Sequence, residues 1–255
     1  MNFFTHDTVQ LAYIDIAPAG VDIGEPILLI HGFASSHAVN WVNTLWVKTL
    51  TAAGRPVIAF DNRGHGQSDK PHDPASYALP RMAGDALALL DHLGIPRADV
   101  MGYSMGARIA AFLALAHPDR VRSVVLGGLG QHLVSQSGLS LAIAEAMDAP
   151  ALESLTDPTQ RMFRAFADAN GADRLALSAC IRGARDIMSA EDVGRIACPM
   201  LVAIGTKDAI AGDPHQLAAL NPRARALDIP GRDHNLAVGD KVFKQGVLDF
   251  LSERG

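Results

Sequence analysis

The pentapeptide Gly102–Gly106 (GYSMG) has the G-x-S-x-G spacing that places a serine on a sharp turn between a strand and a helix. Glycines two residues on either side of Ser104 remove the Cβ atoms that would crowd such a turn. The serine hydroxyl then stands at the strand tip, and the backbone N–H of Met105 points toward the place where an oxyanion would form. The pattern therefore predicts that Ser104 is a nucleophile.

The alternative is that Ser104 only caps a helix in an ordinary α/β protein. The flanking sequence favours the nucleophile. Ala98–Tyr103 reads as a buried strand, and Ala107–His117 reads as an alanine-rich helix that Pro118 ends. Ser104 thus falls at the strand-to-helix junction that the turn requires.

A serine hydroxyl needs a base to become a nucleophile, and the base needs a carboxylate to orient it. Asp208 follows the predicted strand Met200–Ile204, and His234 follows the predicted strand Ala224–Ile229. Residues at the carboxyl ends of parallel strands converge at one crevice. The sequence therefore predicts Ser104, Asp208 and His234 as a catalytic set, in one of the known chain orders for such a triad.

Other histidines and acids compete less well for these roles. Three histidines lie in loops or helices that follow no suitable strand: His65, His132 and His215. Asp233 is too close to His234 in sequence to face its ring easily. The loop Asp61–Ser68 also contains titratable residues, but Gly64 and Gly66 favour a tight turn with a structural role.

A second backbone donor is predicted after the apolar strand Ile27–Ile30. Gly32 allows the chain to approach a ligand closely, and the N–H of Phe33 could face that of Met105 to complete an oxyanion hole. A simple glycine turn followed by a core phenylalanine is the alternative reading of this loop.

The remaining pattern predicts an α/β protein. Val9–Ile16 alternates like a half-exposed edge strand, and Ala17–Pro26 has the composition of a turn. Further strands are predicted at Arg55–Phe60 and Arg122–Leu126. Helices are predicted at these segments: Trp41–Ala53, Pro80–Leu93 and Asp240–Leu251.

Between residues 131 and 198 the pattern becomes helical, with predicted helices at Gly138–Ala149, Pro158–Ala169 and Ala172–Arg185. Since one crossover needs only one helix, the segment is predicted to be a cap inserted into a core of residues 1–130 and 199–255. The alternative is helices packed on the outside of the sheet. The side chains expected to contact substrate are Phe33, Met147, Phe163 and Phe166, and Leu139, Ile143 and Met162 are further pocket candidates.

Composition limits the partners. The chain has 255 residues, a formal net charge of -5 and no cluster of Lys and Arg, which argues against nucleic acid or anionic membrane. No run approaches the length of a membrane span, and the N-terminus lacks a secretory signal pattern. Cys180 and Cys198 read as buried apolar residues, and no metal-ligand spacing occurs. We expect a cytoplasmic monomer or homodimer that uses no cofactor or metal.

Five segments together resemble the α/β-hydrolase family: HGF at 31–33, DNRGHGQSD at 61–69, GYSMG at 102–106, GTKD at 205–208 and GRDHN at 231–235. The closest patterns are those of small serine carboxylesterases and enol-lactonases. The resemblance implies a mostly parallel eight-stranded sheet flanked by helices, a helical cap after the sixth strand, and an oxyanion hole formed by the amides of Phe33 and Met105.

The residues at positions 104 and 103 also distinguish this chain from other groups within that family. Haloalkane dehalogenases and epoxide hydrolases use an aspartate nucleophile where Ser104 stands here. Carbon–carbon bond hydrolases usually have Asn in place of Tyr103. The expectation is a carboxylic ester hydrolase that acts on small-molecule esters or lactones through an acyl-enzyme. The alternatives are a cofactor-free perhydrolase or haloperoxidase, a carbon–carbon bond hydrolase, and a non-catalytic small-molecule receptor.

Overall fold

The computed structural model describes residues 1–21 and 25–253, so residues 22–24 of the predicted turn and residues 254–255 of the predicted core lie outside it. Eight strands form one sheet in the order β1-β2-β4-β3-β5-β6-β7-β8. The strands are β1 (Asn2–His6), β2 (Val9–Ile16), β3 (Ile27–Ile30), β4 (Val57–Phe60), β5 (Ala98–Tyr103), β6 (Val121–Gly127), β7 (Met200–Gly205) and β8 (Ala224–Ile229). β1 and β2 are antiparallel to their neighbours and the others are parallel. The predicted fold class, a mostly parallel eight-stranded sheet, is confirmed.

Helices cover both faces of the sheet. They are α1 (Trp46–Ala52), α2 (Leu79–His92), α3 (Met105–Ala116), α4 (His132–Ser135), α5 (Leu141–Asp148), α6 (Pro158–Ala169), α7 (Arg174–Gly183), α8 (Ala190–Arg195), α9 (Pro214–Ala218), α10 (His234–Ala237) and α11 (Lys241–Glu253). Short π or 3-10 turns occupy Ala38–Val42, Pro74–Tyr77 and Leu152–Ser154.

Successive residues of the central strands point to opposite faces of the sheet and belong to two separate hydrophobic cores. Leu28 and Ile30 of β3 belong to the cluster that includes α2 and α3, whereas Ile27 and Leu29 belong to the cluster that includes α1 and α11. Strands buried on both faces are therefore apolar throughout, which is why short runs such as ILLI were readable as strands.

The register of the sheet aligns the carboxyl ends of the strands. Ile30 is opposite Gly102, Gly127 is opposite Ala203, and Gly205 is opposite Ile229. The loops that follow β3, β5, β7 and β8 therefore leave the same edge, and they carry the residues predicted to do chemistry.

Helices α4 to α8 lie between β6 and β7 in the chain. α5 packs against α6 and α7, α7 packs against the turn Pro74–Tyr77, and α8 packs against α3. The helix at Pro158 begins as its sequence indicates, because Asp157 Oδ1 accepts a 2.8 Å hydrogen bond from Gln160 N–H. A cap role for residues 131–198 stays a prediction.

Two predicted elements differ from the structure. β2 is not an edge strand, because β1 pairs with its outer side. The helix predicted at Trp41–Ala53 is interrupted at Leu45, whose backbone is left-handed with φ 66°. α1 therefore starts at Trp46, after a separate π turn at Ala38–Val42.

Candidate active site

Ser104 occupies a strained corner between β5 and α3, with φ 55° and ψ -113°. Both flanking glycines are needed there. A Cβ on Gly102 would overlap the backbone of Gly106, and a Cβ on Gly106 would overlap the carbonyl of Ile30. The spacing of the motif thus reflects direct backbone contact, and a left-handed serine held by its surroundings is typical of a functional site.

The structure brings Ser104, His234 and Asp208 together. His234 Nε2 lies 3.0 Å from Ser104 Oγ, and His234 Nδ1 lies 2.7 Å from Asp208 Oδ2. The Asp208 side chain is fully buried, and its other oxygen accepts hydrogen bonds from the amides of Ile210 at 2.8 Å and Ala211 at 3.0 Å. A carboxylate held in this way fixes the imidazole with Nε2 directed at the hydroxyl, so His234 can accept the serine proton.

Backbone contacts between two loops hold His234 in place. A Cβ on Gly205 would overlap the carbonyl of Arg232, so the loops after β7 and β8 touch. The Lys207 amide donates to the Arg232 carbonyl at 2.9 Å, and the Gly231 amide donates to Thr206 Oγ1 at 2.8 Å.

Tyr103, the residue before Ser104, also holds the loop of His234. Its hydroxyl donates a 2.6 Å hydrogen bond to the carbonyl of His234. Burial and the nearby Asp208 raise the pKa of this hydroxyl well above its usual value, so it stays a donor. Nothing in the sequence pattern indicates this contact, because a tyrosine before Ser104 is typical of an ordinary strand residue.

The two predicted oxyanion donors are placed beside Ser104. Phe33 and Met105 line the same cavity as Ser104. The Met105 amide is in the first turn of α3, where N–H groups have no intrahelical acceptor. Gly32 permits the approach, because a Cβ there would lie 3.2 Å from the Tyr103 carbonyl oxygen.

Asn40, which the sequence analysis did not single out, and Asp61, from the loop predicted to be structural, fix the loop of Phe33. Asn40 Oδ1 accepts a 2.9 Å hydrogen bond from Gly32 N–H. Asp61 Oδ1 accepts from both the backbone N–H and Nδ1 of His37, each at 2.7 Å. Burial opposes ionisation of Asp61, but the hydrogen bond from His37 and the charges of His31 and His37 lower its pKa to about 2.

Two buried histidines support the same loop and are kept neutral. His31 Nε2 accepts from the Asn62 amide at 3.0 Å, so His31 Nδ1 donates to the Gly32 carbonyl at 2.8 Å. His65 Nδ1 donates to the Arg63 carbonyl at 2.9 Å, and its ring centre lies 5.3 Å from that of His31. Burial lowers the pKa of His31 to about 4 and that of His65 to about 3.

The rival residues have other partners. His132 Nδ1 contacts the Ile210 carbonyl at 2.7 Å, and the exposed His215 contacts Asp228 at 3.0 Å. Asp233 caps α10 by accepting from the amides of Asn235 and Leu236. None of these groups contacts Ser104 or the ring of His234 in the described part of the chain.

Two cavities adjoin Ser104. The first, of about 220 Å³, is lined by the predicted Phe33 and Phe163 and by Leu139 and Ile143 of the inserted segment. The second, of about 250 Å³, is lined by Phe33, Phe163, Phe166 and Met162. Met147 lines neither cavity, since its side chain is buried in the core one turn beyond Ile143 on α5.

Within residues 1–21 and 25–253 the structure has no group of three or more His, Cys, Asp or Glu side chains that could hold a metal. No helix in those residues has the length and apolar character needed to cross a membrane. Cys180 and Cys198 are buried, and burial raises their thiol pKa values to about 12 and about 11.

A mostly parallel eight-stranded sheet, with a nucleophile elbow and a histidine and an aspartate at its carboxyl edge, is the architecture of the α/β hydrolases. The model of the alpha/beta hydrolase fold family matches residues 25–148. A hydrolase from Pseudomonas aeruginosa PA01 has a solved structure that superposes with a TM-score of 0.78 at 28% identity, covering 98% of this chain and 97% of that one. The chain has the α/β-hydrolase fold.

Relatives with curated functions differ in chemistry. The 2-hydroxymuconate semialdehyde hydrolase of Pseudomonas sp. (strain CF600) is 39% identical over 126 residues, which are 49% of this chain and 41% of that protein. The dihydrolipoyllysine-residue acetyltransferase component of the acetoin cleaving system of Pseudomonas putida is 33% identical over 252 residues, covering 91% of this chain and 65% of that protein. Plant epoxide hydrolases from Siraitia grosvenorii also match, and the chain spans 39% of their length.

Proposed function

We propose that the protein hydrolyses small-molecule carboxylic esters or lactones through an acyl-enzyme on Ser104. The observation that supports this proposal most directly is a chain of two contacts. Ser104 Oγ lies 3.0 Å from His234 Nε2, and His234 Nδ1 lies 2.7 Å from Asp208. This geometry supports a general-base role for His234 within hydrogen-bond reach of the hydroxyl.

The reaction has two halves. His234 takes the proton of Ser104 as Oγ attacks the carbonyl carbon, and the amides of Phe33 and Met105 stabilise the oxyanion. The protonated His234 then gives its proton to the leaving alcohol oxygen as the C–O bond breaks. A water molecule, deprotonated by His234, attacks the acyl-enzyme, and the acid leaves as Ser104 recovers its proton.

The test is hydrolysis of p-nitrophenyl esters from acetate to decanoate by the wild type and by Ser104→Ala, with labelling by a fluorophosphonate read out by mass spectrometry. We expect Ser104-dependent turnover and a single labelled peptide that contains Ser104. Ser104→Ala should lose at least about 10³-fold in kcat/KM, because the triad acts as a unit. Retention of most activity by Ser104→Ala, or absence of both labelling and turnover, would overturn the proposal.

A second candidate is carbon–carbon bond hydrolysis on the same triad, which the similarity to 2-hydroxymuconate semialdehyde hydrolase favours. This chain differs from the carbon–carbon bond hydrolases at Tyr103, where those enzymes usually have Asn. Fluorophosphonate labelling of Ser104 without turnover of any p-nitrophenyl ester, together with cleavage of a vinylogous 1,5-diketone, would favour this reaction over ester hydrolysis. Peroxide-dependent halogenation in acetate would identify the perhydrolase alternative.

A further inference from the structure

The two cavities beside Ser104 differ in their relation to the base. Ser104, Phe33 and Phe163 border both of them, but His234 lines only the second cavity. The first cavity extends from Ser104 past Met105 and along α3 to the helices α5 and α7. The site is therefore divided into two compartments that meet at the nucleophile.

This division assigns each half of the substrate to one compartment, on the basis of the proposed function. His234 must deliver its proton to the leaving oxygen, so the leaving group lies on the His234 side, in the second cavity. The acyl group then occupies the first cavity. Met105, whose amide is a proposed oxyanion donor, lines only that first cavity.

Among the described residues, the lining of the first cavity includes one arginine, Arg108, and one histidine, His132. The Arg108 amide donates to the Ser104 carbonyl at 3.2 Å, so Arg108 lies one helical turn, about 6 Å, beyond the nucleophile along α3. Arg108 is part of the cavity lining although the residue is only 5% exposed. The lining includes no Asp or Glu.

No carboxylate neutralises Arg108. Its Nη1 and Nη2 donate to the carbonyls of Leu133 at 3.1 Å and His132 at 2.7 Å, and no ion pair to it occurs among the described residues. Other buried arginines of the chain do have such partners, as Arg63 has in Asp85 at 2.6 Å. Burying a charge without a counterion is energetically unfavourable.

A second guanidinium increases this positive charge. Arg185 donates to the Leu139 carbonyl at 2.5 Å and to Ser137 Oγ at 2.5 Å, beside Gly138 of the cavity lining, and it too has no carboxylate partner among the described residues. Burial and the nearby Arg185 lower the pKa of Arg108 to about 10, so Arg108 is still charged at neutral pH.

We propose that the first cavity is an acyl pocket for a carboxylate-bearing acyl group, and that the guanidinium of Arg108 is the specificity-determining group that receives this carboxylate. The substrates would be half-esters of aliphatic dicarboxylic acids or lactones that carry a free carboxylate. The carboxylate would supply the missing counterion, and the apolar walls of Leu129, Ile143 and Phe163 would contact the carbon chain between the two ends.

The experiment compares two matched series: mono-p-nitrophenyl esters of succinic to suberic acid, and the same esters with the distal carboxylate capped as a methyl ester. The two members of a pair have equal chain length and differ in charge. Rates without enzyme are subtracted, because a distal carboxylate can attack its own ester. Wild type is expected to prefer the charged member by about 10- to 100-fold in kcat/KM at one chain length, which is the size of effect expected from a charge-assisted hydrogen bond.

Substitutions of Arg108 test whether this residue causes the preference for the charged ester. Arg108→Met should reduce the charged-to-neutral ratio to about one or below, and Arg108→Lys should keep part of the preference, because it retains the charge but lacks the planar fork. Arg195→Met is the matched control, since the Arg195 side chain is 67% exposed on α8, and it should leave the ratio unchanged. Circular dichroism reports whether each variant is folded.

The outcomes separate the two proposals. A wild type that hydrolyses the neutral esters as well as the charged ones, or better, overturns the acyl-pocket assignment and leaves the esterase intact. Hydrolysis of neither series without fluorophosphonate labelling overturns the esterase itself. Should Arg108→Met not fold, the wild-type ratio and competitive inhibition by glutarate or adipate, set against their neutral diamides, still decide the question. Equal inhibition by the acids and the diamides counts against the proposal.

Discussion

Asp208, and not the adjacent Asp233, contacts the imidazole of His234, at 2.7 Å from Nδ1 across 26 positions of the chain. Asp233 uses its carboxylate to cap the helix that begins at His234. Asp233 therefore fixes the backbone at His234, and Asp208 orients the imidazole ring.

Substituting these two acids separates the roles. Asp208→Asn is expected to lower kcat/KM by several orders of magnitude, because an amide cannot stabilise the imidazolium and can favour the wrong tautomer. Asp233→Asn keeps a good helix cap, so its activity should stay within a few-fold of wild type and its stability within about 0.5 kcal/mol. Ester kinetics and urea unfolding of both variants provide the check. Comparable activity losses in the two variants would mean that the acid is assigned wrongly.

Gly106 tests the backbone geometry of the elbow. Gly106→Ala would force a Cβ into the carbonyls of Ile30 and His31, so we expect destabilisation by about 3 kcal/mol or more, or failure to fold. Gly20→Ala is the matched control, since a Cβ there would have no atom of residues 1–21 or 25–253 within 4 Å. Thermal unfolding of both proteins measures the difference. A fully stable Gly106→Ala protein would contradict the tight contact between the elbow and the loop after β3.

The buried histidines predict a loss of stability in mild acid. Burial lowers the pKa of His31 from 6.5 to about 4 and that of His65 from 6.5 to about 3. Between about pH 6.5 and 4 the unfolded chain therefore binds protons that the folded chain does not bind, and the free energy of unfolding falls as the pH falls. His31 alone accounts for about 3 kcal/mol across this window. Asp61, with a lowered pKa of about 2, loses its stabilising contribution only below about pH 3.8, outside the window.

Urea unfolding at pH 7.5, 6.5, 5.5 and 4.5 measures this dependence. His65→Gln should flatten it, whereas His215→Gln, at a side chain that is 64% exposed, should leave it unchanged. Equal unfolding free energies of the wild type at pH 7.5 and pH 5 would be incompatible with two neutral buried imidazoles.

The strand ends were predictable because strands buried on both faces are apolar throughout and the reacting residues follow them directly. β1 was missed because its hairpin turn, Asp7–Thr8, adopts positive φ at both residues without glycine, and because adjacent Phe3 and Phe4 conceal the alternation. The break at Leu45 was hidden for the same reason, since no glycine or proline marks it.

The residues of the predicted triad could be identified from the sequence, whereas the arrangement of the two cavities could not. Ser104, Asp208 and His234 each follow a recognisable strand, so their convergence follows from the topology. The separation of the two cavities depends on how the inserted helices pack, and a local pattern does not encode that packing. Arg108 therefore read only as part of an alanine-rich helix, and Met147 was expected in the pocket although it packs in the core.

The contact of Gly106 with the carbonyls of Ile30 and His31 packs the turn of Ser104 directly against the start of the Phe33 loop, main chain against main chain. Gly106, Ile30 and His31 all lie outside the helices inserted after β6, so this contact does not depend on the side chains of those helices. Exchanging residues of those inserted helices, by natural drift or by design, would reshape the walls of the two cavities and leave this main-chain contact in place.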